Sequence, residues 1–316
     1  MTKWLVGGLV VVAALLAAAF YVCSEPDIPR AVLEAKYATP PSAFVVLNDG
    51  ARSHYRDRGP RGAPVILLLH GSNSSLFDWE PWSDLLSDRF RVVSVDLPGH
   101  GLTGAVPGGD YSEAGMAAFV LAFADRLGLG RFAVAGNSMG GGVAARFAEL
   151  HPDRVTHLIL VDAHAEGMAP VGDHVPFAFR LARIPVLSDV LLHITPRSLV
   201  VEGLNDAVVR KAALTDAMID QYWDFARMAG TREATVARFQ LKADTFVRDH
   251  AAAIKAPTLI LWGAQDQVLP VADAQAWARA IPGARLIVYS ATGHLPMEEV
   301  PQKSAADVGT FVSAPH

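Results

Sequence analysis

Cysteine is almost missing from this chain. Cys23 stands alone among 316 residues, so no disulfide forms within it. The histidines are scattered rather than clustered, so no structural metal site is expected. Charge is sparse too. Charged residues make up 19% and the net value is −5, and no basic stripe offers a footprint for nucleic acid. Internal repeats are absent, and low-complexity sequence is confined to the N-terminus. Hydrophobic residues reach 51%, enough to build one large domain or two small ones.

One long apolar run is present. Residues 4–22 carry only apolar side chains and glycines. As a helix they span roughly 28 Å, close to the hydrocarbon thickness of a bilayer. Lys3 precedes the run and Ser24-Glu25-Pro26-Asp27 ends it. Ala17-Ala18-Ala19 offers a small-residue cleavage site, so a removed signal peptide is the competing reading. The run continues through Phe20-Tyr21-Val22, which favours an uncleaved transmembrane anchor over residues 1–23 and membrane lipid as a partner of residues 4–22. Cys23 lacks the small preceding residues of a lipoprotein processing site. A short charged start before an apolar run puts the remaining domain on the outer, extracytoplasmic side. Cleavage would instead release a secreted domain.

Residues 24–43 read as a linker broken by Pro26, Pro29, Pro40 and Pro41, with 31–37 as a short helix at the membrane surface. From Phe44 onward, short apolar strands alternate with helical patterns. Strands are expected at 44–47, 53–56, 65–69, 91–95, 132–135, 158–161, 258–262 and 285–289. Helices are expected at 81–88, 112–127, 141–150, 271–280 and 303–312. Near-continuous apolar strands indicate a mostly parallel sheet buried on both faces by helices. The rhythm breaks between Val161 and Thr258, where 175–182, 206–229 and 232–245 show helical spacing. Such an insertion reads as a helical cap (163–254) over the carboxyl edge of a core formed by 44–162 and 255–316.

Gly136-Asn137-Ser138-Met139-Gly140 lies between an apolar strand and a helix-like stretch. That context turns Gly-x-Ser-x-Gly into a sharp turn that presents the Ser138 hydroxyl as a nucleophile. Serine needs a base, and the base needs an orienting acid. His294 follows the last strand in a loop of turn residues, at the edge where Ser138 belongs. Asp266 follows the preceding strand and is the expected acid, with Asp162 as the alternative. The backbone N–H groups of Met139 and Ser72 are the expected donors to an oxyanion. His70 reads as a structural histidine under the Ser72 loop, and Asp96 and His100 as parts of a rigid turn.

His70-Gly71-Ser72, Asp96-Leu97-Pro98-Gly99-His100-Gly101, Gly136 to Gly141, Asp266 and Gly293-His294 together make residues 44–312 similar to the α/β-hydrolase-fold enzymes. The order Ser, Asp, His matches that family. The resemblance implies an α/β fold with an eight-stranded, mostly parallel sheet, flanking helices and a helical cap, preceded here by one transmembrane helix. It implies Ser138 as nucleophile, Asp266 as acid, His294 as base and Ser72 and Met139 as oxyanion donors, with no cofactor and no metal. Epoxide hydrolases and haloalkane dehalogenases share the fold but use an aspartate nucleophile, so Ser138 argues against both. Asn137 resembles the hydrolases of ring-cleavage products, which break carbon–carbon bonds. Ser72-Asn73-Ser74-Ser75 and Leu295 depart from that subfamily, whose oxyanion loop is glycine-rich and whose base is followed by tryptophan.

The expectation is therefore a membrane-anchored serine carboxylesterase acting on a small-to-medium apolar ester. A carbon–carbon hydrolase and a catalytically inert binding protein are the alternatives. Asn137, Tyr222, Trp223 and Leu295 are the candidate pocket residues. Phe177, Phe179, Phe225, Met228 and Phe239 are further apolar surface in the cap.

Overall fold

The computed structural model describes residues 20–21, 24–164, 193–241 and 250–314. Strands β1 (Ser42–Val46), β2 (Arg52–Arg58), β3 (Val65–Leu69), β4 (Arg91–Val95), β5 (Phe132–Asn137), β6 (Val155–Val161), β7 (Thr258–Gly263) and β8 (Arg285–Tyr289) form one sheet. Their spatial order is β1-β2-β4-β3-β5-β6-β7-β8. β2 runs antiparallel to both neighbours, and every pairing from β4 to β8 is parallel. All eight expected strands are present.

Alternation along the strands explains the burial. Leu67 and Leu69 of β3 join one core with Val134, Phe123, Phe147 and Trp277. Ile66 and Leu68 point the other way, into a second core with Trp79, Trp82, Leu261 and Val308. Period-two side chains with both faces covered require apolar residues at every position, which is how β3 reads.

The helices of the described residues are α1 (Arg30–Tyr37), α2 (Glu80–Leu86), α3 (Glu113–Arg126), α4 (Met139–Leu150), α5 (Arg197–Ala207), α6 (Asp216–Ala226), α7 (Thr231–Phe239), α8 (Val271–Ala280), α9 (Pro296–Glu299) and α10 (Pro301–Ser313). α3 starts where Ser112 Oγ accepts the Gly115 N–H, an N-cap bond that satisfies one of the helix's free donors. α4 begins at Met139, two residues earlier than its pattern predicts, and β5 extends to Asn137, two residues beyond it. Ser138 is thus the single residue between strand and helix.

The expected helix over 206–229 is instead broken. α5 ends at Ala207, a short 3-10 turn covers Lys211–Ala213, and α6 starts after the Thr215 N-cap. Gly230, at φ 86°, separates α6 from α7. Capping chemistry, rather than the apolar spacing, sets these boundaries.

The linker reading for 24–43 is corrected. α1 is not a free helix: it packs through Leu33 against Phe225 and Met228 beside α6. Ile28 forms a β-bridge with Met228, and the Lys36 ammonium and Tyr37 hydroxyl both donate to Asp224 Oδ2, at 2.7 and 2.8 Å. β1 starts at Ser42, inside the expected linker. Nearly all of the expected anchor (residues 4–22), Phe177, Phe179 and the expected helix 175–182 lie outside the described residues. Among the described residues no helix is long and apolar enough to cross a membrane.

Candidate active site

Ser138 sits at φ 50° and ψ −120°, a strained conformation for a residue with a Cβ. Several bonds hold it there. Its N–H donates to Val161 O at 3.0 Å, and its carbonyl accepts from Gly141 and His164, both at 2.9 Å. The flanking glycines are a packing requirement. A Cβ on Gly136 would stand 2.0 Å from Gly140 O, and one on Gly140 would stand 2.3 Å from Leu69 O. The first turn of α4 therefore lies directly on β5 and β3. Ser138 sits at the helix N-terminus, where free N–H groups favour developing negative charge.

His294 and Asp266 arrive from the neighbouring strand ends. Asp266 follows β7 and His294 follows β8. His294 Nδ1 donates to Asp266 Oδ2 at 2.7 Å, and the Asp266 side chain is fully buried. Asp266 Oδ1 accepts from Val268 N at 2.7 Å and Leu269 N at 3.0 Å. The His294 backbone is fixed as well: its N–H donates to Ala207 O at 2.7 Å, and its carbonyl accepts from Asn137 Nδ2 at 3.0 Å.

Asp162 also lies here, buried at the end of β6, but it makes no hydrogen bond to the imidazole. Burial first, then the neighbouring Asp266, pushes its carboxyl well above the usual carboxylate range. Asp162, Asp266 and His294 offer ligand atoms within 4.8 Å of one another, the one metal-like grouping among the described residues. Asp266 is already engaged by three donors and His294 Nδ1 by Asp266, so the set is poorly suited to hold an ion.

Ser72 stands across the site after β3. Gly71 lets this loop close on the turn: a Cβ there would meet Asn137 Oδ1 at 2.9 Å and Ser138 Cβ at 3.3 Å. Neither Ser72 N–H nor Met139 N–H donates to another backbone group among the described residues. Ser72 Oγ accepts from Arg238 of α7, so that helix touches this loop directly.

His70, Asp96 and His100 brace the loop from below. His70 Nδ1 donates to Gly71 O at 2.7 Å and its Nε2 accepts from Leu97 N at 3.0 Å. Burial lowers its basicity, consistent with a neutral ring. Asp96 accepts from Leu76 N, Leu102 N and His54 Nδ1 at 2.7, 2.7 and 2.6 Å. His100 Nδ1 donates to Pro98 O at 2.9 Å.

A cavity of about 430 Å³ joins Ser138 and His294 to helices α5, α6 and α7. Asn137, Tyr222, Leu295 and Phe239 line it, as does Ser72. The Asn137 amide is nonetheless directed to Val161 O and His294 O. Trp223 is not among the lining residues. Its Nε1 donates to Thr195 O at 2.7 Å and Arg227 stacks on its ring at 3.6 Å. Helical spacing sends Trp223 to a different face from its neighbour Tyr222. Phe225 and Met228 are buried against α1 instead.

Two carboxyl groups escaped the sequence reading. Asp78 lines the cavity and accepts from Ser74 Oγ and, at 2.8 Å, from Tyr222 Oη. Burial pushes it up to about 6. Glu298, in α9, is raised to about 8 by burial, then by Asp78 and Glu80. The one clue was an aspartate inside the otherwise apolar Leu76-Phe77-Asp78-Trp79.

A family model described as alpha/beta hydrolase fold matches residues 64–301. An uncharacterized protein of Mycobacterium tuberculosis is 31% identical, covering 86% of this chain and 82% of its own. A monoacylglycerol lipase of Xenopus laevis is 27% identical, covering 82% of this chain and 79% of its own. Among solved structures, a bacterial membrane phospholipase A superposes with a TM-score of 0.71 at 25% identity, covering 99% of this chain and 98% of its own. The chain belongs to the alpha/beta hydrolase fold family.

Proposed function

We propose that this hydrolase cleaves a carboxylic ester with an apolar acyl part through an acyl-enzyme on Ser138. The observation that carries this reading is the 2.7 Å bond from His294 to Asp266 beside the strained Ser138 turn, with Ser138 and His294 on one cavity. His294 Nε2 takes the Ser138 Oγ proton as the oxygen attacks the ester carbonyl. Asp266 orients the ring and stabilises the imidazolium that forms. The N–H groups of Ser72 and Met139 hold the oxyanion. Collapse breaks the ester C–O bond, and the alcohol leaves with the proton from His294. Water then attacks the acyl-Ser138 carbonyl by the same route and releases the acid.

The apolar walls from the cap, such as Leu199, Val200 and Leu204, support an acyl chain as the buried part. Likeness to a monoacylglycerol lipase and a membrane phospholipase A favours a lipid-like ester. Ester cleavage is preferred over carbon–carbon cleavage because the Asn137 amide, the residue behind that alternative, is bound to two backbone carbonyls. The reading extends to residues 4–22 as a membrane anchor with the catalytic domain on the outer side, and to 163–254 as the cap. Their apolar length and helical spacing respectively support this.

The test is an acyl-length panel of esters with wild type and Ser138→Ala, together with a fluorophosphonate label. Wild type turns over and labels, and Ser138→Ala does neither while melting like wild type. Retained turnover in that variant rejects the reading. Alkaline extraction of membranes from cells carrying the full chain tests the anchor: release of the protein into the supernatant rejects it.

A further inference from the structure

Asp162 is buried at the end of β6, with φ 41°, and two bonds fix it. Its N–H donates to Leu261 O, and its Oδ1 accepts from Gly263 N, both at 2.9 Å. Its second oxygen, Oδ2, is sealed from solvent with no donor directed at it among the described residues. A bare carboxylate oxygen in that position is costly. Asp266, by contrast, accepts from Val268 N, Leu269 N and His294 Nδ1.

Two buried carboxyl groups this close do not both ionise, and the one with more donors keeps the charge. Asp266 has three and Asp162 has one. The proton therefore belongs on Asp162, on the oxygen that lacks a donor. Once protonated, that oxygen is itself a donor, and the Asp266 carboxylate is a neighbouring acceptor, with one oxygen of each group within 4.8 Å of the other.

We propose that Asp162 is held as the neutral acid and donates to Asp266, a positioning residue that completes the series Asp162–Asp266–His294 behind Ser138. This rests on the triad assigned above. The bond limits rotation of Asp266 and so of the His294 ring. Neutrality matters equally. A second anion beside the imidazole would favour its protonated form before substrate arrives and leave less base to activate Ser138.

The neighbouring carboxyl groups act in the same direction. Burial and the Asp266 charge raise its carboxyl, Glu299 adds to this, and the Gly263 N–H opposes it. Glu299 itself is held by the N–H groups of Gly293, Val209 and Arg210. Tyr289 of β8 also faces this pocket, its phenol raised by burial, then by Asp307 and by the charge Asp162 would carry.

Asp162→Asn tests the proton. Its amide keeps an acceptor for Gly263 N–H and a donor for Asp266. The expected kcat/KM stays within about 3-fold of wild type, with the acid-side midpoint of its pH profile unmoved. Asp162→Gly tolerates the positive φ but lacks both groups. There kcat is expected to fall about 10–100-fold with KM little changed. Infrared difference spectra of wild type against Asp162→Asn at neutral pH are expected to show a protonated-carboxyl band in wild type only. That readout needs no activity.

Loss of about tenfold or more in folded Asp162→Asn, a downward move of its acid-side midpoint by about one unit, an absent infrared band, or full kcat in Asp162→Gly overturns the proposal. Ser138→Ala in the same assay separates the two readings. If it stays active, the triad itself falls. If it is dead and Asp162→Asn is impaired, only the neutral Asp162 falls.

Discussion

Asn137, the neighbour of Ser138, donates one amide hydrogen to His294 O at 3.0 Å and the other to Val161 O at 3.1 Å. A single side chain thereby ties the nucleophile turn to the loop carrying the base, 157 residues away in sequence. Asn137→Ala takes the amide donor from the buried His294 carbonyl, while Val161 O keeps the Ser138 N–H. Stability is expected to fall by about 1–3 kcal/mol and kcat/KM by about 10–100-fold. Denaturation and steady-state kinetics check this, and full activity in the folded variant contradicts it.

Two helical glycines should respond oppositely to alanine. At Gly140 the new methyl meets Leu69 O at 2.3 Å, whereas at Gly203 in α5 nothing lies within 4 Å. Gly140→Ala is expected to cost about 3 kcal/mol by overpacking. Gly203→Ala should add about 0.5–1 kcal/mol through helix propensity. Thermal melts of the two variants decide the matter, and equal shifts contradict it.

Glu298 makes stability pH-dependent. Its folded value of about 8 stands above the ordinary 4.5, so the folded state keeps a proton that the unfolded chain releases between these values. Stability from this group is complete below 4.5 and is lost as pH rises through 8. Asp78 adds the same trend between 3.8 and about 6. Glu298→Gln is neutral throughout, so its melting temperature relative to wild type should be higher at about pH 9 than at about pH 5. An identical difference at both values contradicts the assignment.

Adjacent residues of α1 report whether the segment before β1 is structural. Leu33 is 1% exposed and packs on Phe225 and Met228, while Val32 is 54% exposed. Leu33→Ala is expected to cost about 2–5 kcal/mol, and Val32→Ala within about 0.5 kcal/mol of zero. Chemical denaturation distinguishes them, and a negligible cost at Leu33 contradicts the docking.

Much of the core was legible because its signals are local. Apolar runs such as 65–69 carry strand and burial together, and Gly136, Ser138 and Gly140 encode a turn that few other residues permit. The stretch between β6 and β7 was legible only as helical. Thr215 and Gly230 place its breaks, and Tyr222 and Trp223 diverge because one residue along a helix turns the side chain by about 100°. Asp78 was missed because burial, invisible in sequence, makes its carboxyl unusual.

The sequence by itself determined the fold and the chemical types at the site, since periodicity and turn residues act over a few positions. Only the tertiary structure decided which acid meets His294. Asp162 and Asp266 both follow apolar strands, so the sequence names Asp266 as the expected acid but keeps Asp162 as an alternative. Folding directs the Val268, Leu269 and His294 donors at Asp266 and leaves Asp162 Oδ2 without one. Where a buried charge resides depends on its donors, and those come from residues that only the fold brings together.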